Sequence, residues 1–114
     1  MYQLRYEDVM HDDMASARER ERMLFDRSIE MLEAARENGS SSREGIEAGY
    51  FTTRLWTTII DDLGSPDNAL PKELRAAIIS IGIFVLKEID RIRLGESNDY
   101  ATLIEITQSI RDGL

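Results

Sequence analysis

Four amphipathic segments separated by glycine and proline predict an all-α fold, a small bundle of about four helices with short loops. Three observations carry this prediction. Apolar residues recur at spacings of three and four in each segment. No stretch alternates apolar and polar residues as a half-buried strand does. The breaks fall at Gly39, Gly64, Pro66, Pro71 and Gly95, residues that end helices or begin turns. With no internal repeat and 114 residues, the chain is expected to be a single domain, 1–114.

The first helix is expected over about Asp12–Asn38. Met14, Ala17, Glu21, Leu24, Ser28, Met31 and Ala35 follow the helical period, and Phe25 and Leu32 widen the stripe. Arg18, Arg20, Asp26, Arg27 and Glu30 sit on the other face. Asn38-Gly39 is a stop signal, because glycine takes the left-handed conformation that closes a helix. The second helix is expected over about Ser42–Leu63, with Ser41 and Glu44 spaced as a capping box. Ile46, Tyr50, Thr53, Trp56, Thr57, Ile60 and Leu63 form one face, and Phe51, Leu55 and Ile59 a second line. Such a helix should be more buried than the first. Its β-branched residues cost helix propensity that packing must override.

Gly64-Ser65-Pro66-Asp67-Asn68 is turn chemistry. Pro71 then suits a helix start, where its missing N–H is not needed, and Glu73 suits the positive end of the helix dipole. The third helix is expected over about Pro71–Leu94. Ile78, Ile79, Ile81, Ile83, Phe84, Val85 and Leu86 point all round it. A helix of that kind is either central in a bundle or open on one side for a partner. The fourth helix is expected over about Asp99–Arg111, capped by Ser97 or Asn98, with Tyr100, Leu103, Ile104, Ile106 and Ile110 as its apolar face.

Composition excludes several functions. Hydrophobic content of 42% fits a folded domain rather than a disordered one. The net charge of −8, without a basic stripe, argues against binding nucleic acid or an anionic membrane. With no cysteine, disulfides and thiolate-bound metal are out of reach. Met1–Asp8 lacks the cationic and apolar parts of a signal peptide. The uncharged run Ala76–Leu86 falls far short of the ~20 residues that span a bilayer. A cytoplasmic location is expected.

No motif points to catalysis or a cofactor. His11, with Asp8 three residues earlier, is the only histidine, too few for a helical di-metal site, so a surface or capping role is expected. The doublets Asp12-Asp13 and Asp61-Asp62 lack the alternating ligands and central glycine of a calcium loop. Gly45-x-x-x-Gly49 reads as close helix–helix approach within the bundle, and Gly82 likewise. Serines and threonines have no readable activating base, and no glycine-rich phosphate loop is present. For Tyr50, Phe51, Trp56 and Phe84 core packing is the commoner role. The functional alternative is an aromatic–aliphatic groove that accepts a partner's amphipathic helix.

Several stretches carry a family likeness. Tyr50-Phe51-Thr52-Thr53-Arg54-Leu55-Trp56 resembles a signature of the alphaproteobacterial flagellar biosynthesis regulator FlaF family. So do Pro66-Asp67-Asn68-Ala69-Leu70-Pro71, Leu74-Arg75-Ala76 and Ile79-Ser80-Ile81-Gly82-Ile83. Tyr2–Val9, Ala17–Glu21 and the ending Ile110–Leu114 fit as well, so the likeness spans the chain. It implies no catalytic or cofactor residues. It implies a flagellin-binding secretion chaperone and positive regulator of flagellin synthesis and filament assembly, acting opposite the repressor FlbT. The alternative is a regulator or adaptor working with FlbT, or with the translation or export machinery, without holding flagellin. Flagellin is the expected partner, and the expected surface for it lies around Trp56, Ile79, Ile83 and Phe84.

Overall fold

The computed structural model describes the backbone of residues 2–113 and the side chains of residues 16–113. The expectations for His11, Asp12-Asp13 and the Tyr2–Val9 side chains fall outside that range. Four helices follow one another: α1 Tyr2–Asn38, α2 Arg43–Leu63, α3 Lys72–Arg93 and α4 Tyr100–Asp112. Helix α1 starts ten residues before the expected Asp12, because nothing between Tyr2 and Asp12 is a glycine or proline that would break it. The other ends lie within a residue or two of expectation.

The ends follow local chemistry. Gly39 has φ of +94° and its N–H donates to the Ala35 carbonyl, closing α1 as its sequence suggested. Helix α2 is capped by Ser42 rather than Ser41, its hydroxyl accepting from the Gly45 N–H at 3.0 Å. Pro71 is the cap of α3 and not its first residue, and it makes no side-chain cap bond. At the other end of α3, Gly95 has φ of +78°, and Glu96 N–H reaches back to the Arg91 carbonyl at 2.8 Å. Asp99, one residue beyond the expected Ser97 or Asn98, caps α4. Its carboxylate accepts from the Thr102 hydroxyl at 2.7 Å and the Thr102 N–H at 3.1 Å.

Helix α1 packs against both α2 and α4, while α3 packs mainly against α2. The spatial order is therefore α4-α1-α2-α3. Residue pairs across the α1–α2 and α2–α3 seams show those neighbours running antiparallel: Phe25 meets Trp56, Ser28 meets Thr52, and Gly82 faces Trp56 while Ile89 faces Gly49. Asp26 of α1 meets Arg111 of α4 at 3.1 Å. The core gathers Phe25, Leu32, Trp56, Val85, Ile89 and Leu103, whose burial supplies most of the drive to fold. Phe25 sets its edge against the Trp56 ring at 6.4 Å between centroids. The buried hydroxyls of Ser28 and Thr52 satisfy each other at 3.2 Å.

Two expectations about the apolar faces change. On α1 the buried line is Phe25, Ser28, Ile29, Leu32 and Ala35, whereas Glu21 and Leu24 are exposed. The stripe is turned toward Phe25 and Leu32 because α1 must face α2 and α4 together. Helix α3 is not central. It lies at the end of the spatial order, and Leu74, Ile83 and Phe84 stay exposed, the open alternative of its all-round apolar pattern.

Gly82 fixes the α2–α3 spacing. A Cβ there would lie 2.8 Å from the Trp56 ring and 2.9 Å from Ile60 Cδ1, both packed at the seam. Gly82→Ala is expected to lower stability by about 1–3 kcal/mol, the usual cost of overpacking. Urea unfolding followed by the fluorescence of Trp56, the single tryptophan, measures it. A variant as stable as the parent contradicts the tight seam.

The Asp99 cap carries an acid dependence. Its two bonds from Thr102, the hydroxyl's first, hold its carboxyl below the ordinary value of 3.8. A folded pKa below the unfolded one gives stability that is whole above 3.8 and drains as pH falls through the folded value. Asp99→Asn should therefore show a shallower stability loss than the parent in acid below that value. Unfolding midpoints taken through the acid range test this, and equal slopes refute it.

Candidate functional site

The site begins with a line of small residues on α2. Gly45, Gly49, Thr53 and Thr57 follow at intervals of four, each about 40° round from the last, and so form a row that winds slowly round the helix. Gly45 packs under the α1–α2 turn, where a Cβ would collide with the Gly39 and Ser40 backbone. Gly49 faces Ile89 of α3 with ordinary space, a Cβ there lying 3.8 Å from Ile89 Cγ2. Glycine within a helix costs about 0.5–1 kcal/mol relative to alanine. Here its small size leaves a groove instead of a filled seam.

That groove, of about 580 Å³, runs between α2 and α3 and is mostly apolar. Ile46, Tyr50, Thr53 and Thr57 form the α2 wall, and Leu86, Asp90 and Arg93 the α3 wall. Ser40 and Tyr100 lie at one end. Ile46 and Tyr50 are 65% and 63% exposed, unusual for large apolar side chains that have a packed core nearby.

Charge is locally balanced along the groove. Among its lining residues only Asp90 and Arg93 are charged, and they pair with each other at 2.6 Å. Just outside, Arg43 pairs with Glu47 at 2.9 Å, and that bond raises the Arg43 pKa. The Arg54 guanidinium lies 5.7 Å from the centre of the Tyr50 ring and donates to its hydroxyl at 3.1 Å, holding the exposed ring in place. Burial pushes the pKa of the Tyr100 phenol, at the groove end, above its ordinary value.

The four residues expected at the surface separate. Trp56 is fully buried and belongs to the core, because Gly82 brings the α3 backbone onto its ring. Ile79 and Ile83 precede Leu86 by seven and three residues, on the side of α3 that walls the groove. Phe84 is turned about 100° from Ile83 and opens on another flank. Ile46, Tyr50, Thr53 and Thr57, expected on one apolar face with Trp56, Ile60 and Leu63, are exposed groove wall, which is the groove alternative for Tyr50. Continuing the Gly45-Gly49 spacing to Thr53 and Thr57 is the signal that would have marked them.

A second, more open depression lies between Ile81 of α3 and Ile106 and Ile110 of α4, with Glu105 and Asp112 beside it. Among the described residues no group of three or more histidine, aspartate or glutamate side chains is placed to hold a metal ion. Among them also, no helix is long and apolar enough to cross a membrane.

Together these features define the class: a small antiparallel helical bundle with an open apolar groove. Its family is specific. Over residues 2–114 the chain matches the family described as flagellar protein FlaF, and it belongs to that family. No curated protein and no solved structure matches the chain.

Ile83 separates surface from core. At 43% exposed it should tolerate a charge, so Ile83→Asp is expected to keep the parent's helicity and lose no more than about 1 kcal/mol. Circular dichroism and urea unfolding read this out. Loss of helicity would return Ile83 to the core.

Proposed function

We propose that this protein binds flagellin as a secretion chaperone and acts as a positive regulator of flagellin synthesis and filament assembly in the cytoplasm. Membership of a flagellar family supports the setting. The observation that carries the binding role is the α2–α3 groove, an apolar surface left open on a chain of net charge −8. Apolar surface open to water is a liability unless something covers it, and high net charge keeps such a protein soluble meanwhile.

Flagellin subunits carry amphipathic terminal regions that must stay unpaired until export. Covering such a region delays assembly. Holding the subunit also changes its lifetime and any feedback on its synthesis, so chaperoning and positive regulation follow from one contact. Release at the export machinery requires only moderate affinity.

Size-exclusion chromatography with light scattering on the protein mixed with monomeric flagellin tests this. A stoichiometric complex is expected, and Tyr50→Glu, at a 63% exposed position, should weaken it at least about tenfold while leaving the fold intact. Separate peaks at micromolar concentration would overturn the proposal. Recovery of FlbT or the export apparatus without flagellin would put an adaptor in its place.

A further inference from the structure

We infer that α4 is a hinged cover, which opens from the bundle as a unit while α1, α2 and α3 stay folded, and that the Asp26–Arg111 ion pair is its latch.

Packing singles out α4. It lies at one end of the spatial order and has one substantial neighbour, α1. On its other side the depression between Ile81, Ile106 and Ile110 leaves its seam with α3 unfilled. At 13 residues it is also the shortest of the helices. A helix of that length is marginal in water without packing, so α4 loses its hydrogen-bonded ladder when it leaves α1. Its buried face, Tyr100, Leu103, Ile104 and Thr107, spans barely two turns. Uncovering part of that face leaves the rest too short to hold, so it comes away whole.

Hydrogen bonding permits the break. The Thr107 hydroxyl donates to the Leu103 carbonyl of its own helix, and the Asp99 cap takes both of its bonds from Thr102. The connection 94–99 bonds to itself and to the end of α3. Glu96 N–H donates to the Arg91 carbonyl, Arg91 Nη2 to the Glu96 carbonyl, and Asp99 N–H to Ser97 Oγ. Among the described residues, one polar bond leaves α4 for another helix, from Arg111 Nη1 to Asp26 Oδ1 at 3.1 Å.

The place of that pair makes it a latch. Arg111 sits in the last turn of α4, at the end far from the connection. The two side chains are 29% and 47% exposed, so salt screens them less than a pair in open water. Asp112 holds the same guanidinium from within α4 and moves with it. Opening parts Arg111 from Asp26 and uncovers Ile29, one turn further along the same side of α1. It also takes Tyr100 from the end of the α2–α3 groove.

Hydrogen exchange of the full-length protein, resolved by residue through low urea, tests this. Protection factors within α4 should agree with one another and lie at least about tenfold below those of Leu32 and Trp56, with a weaker urea dependence, since partial opening exposes less surface. Gly82→Ala, at the α2–α3 seam, should lower protection at Trp56 and change α4 less than about twofold, because that seam stays closed when α4 opens. Arg111→Gln should lower protection in α4 about two- to fivefold, and adding Asp26→Asn should lower it less than about twofold further, as for two partners in one interaction. Raising salt from about 50 to about 500 mM should lower α4 protection in the parent and not in Arg111→Gln. The cover is refuted if α4 shares the protection and urea dependence of Trp56, if Gly82→Ala affects both alike, or if protection merely grades away toward Gly113. Unchanged α4 protection in Arg111→Gln would strike out the latch.

Discussion

The approach of the Gly82 backbone to the Trp56 ring is the constraint on which the rest of the molecule hangs. It brings α3 against α2 and leaves no room for a side chain between them. Trp56 in turn receives the edge of Phe25, so one ring links α1, α2 and α3. With that contact fixed, the helices run antiparallel at a set register. Ile89 then arrives opposite Gly49, where the fit is looser. The groove is what remains when a tight glycine contact at one place on the seam is followed, two turns on, by a slack one.

The helices were legible in the sequence because local rules decide them. Asn38-Gly39 and Gly95 end helices in the left-handed conformation, and the Gly64–Asn68 turn separates α2 from α3. The caps moved by one residue because Ser41 and Ser42, or Asn98 and Asp99, compete for the same role, and only the folded geometry chooses between them. The core was half legible. Leu32, Tyr100 and Leu103 follow from periodicity, but the orientation of α1 depends on facing two partners together.

The groove was largely hidden for a related reason. Ile46 and Tyr50 lie on the same broad apolar face as Trp56, and a sequence period cannot say where on that face the neighbour stops. It stops because α3 meets α2 along the Gly82–Trp56 and Ile89–Gly49 contacts and not across the full face. The sequence leaves core and groove open for Tyr50 and Trp56 alike, and the structure separates them, Trp56 in the core and Tyr50 on the groove wall. A step of six residues, turning the helix by most of two revolutions, places the second well round from the first.

The same seam holds two buried donors without partners, Trp56 Nε1 and Arg75 Nε. Arg75 has another nitrogen donating to the Leu63 carbonyl at 3.4 Å, so its group is only partly satisfied. Each orphan donor costs about 1–3 kcal/mol, and the apolar burial of the tryptophan ring must outweigh it. Cohesion between α2 and α3 therefore comes mainly from apolar packing, with the Arg75–Leu63 bond at one end, while the α1–α2 and α1–α4 seams add the Ser28–Thr52 and Asp26–Arg111 bonds to their packing. The groove thus opens at the slack Gly49–Ile89 end of that seam, while the tight Gly82–Trp56 contact holds the two helices together beside it.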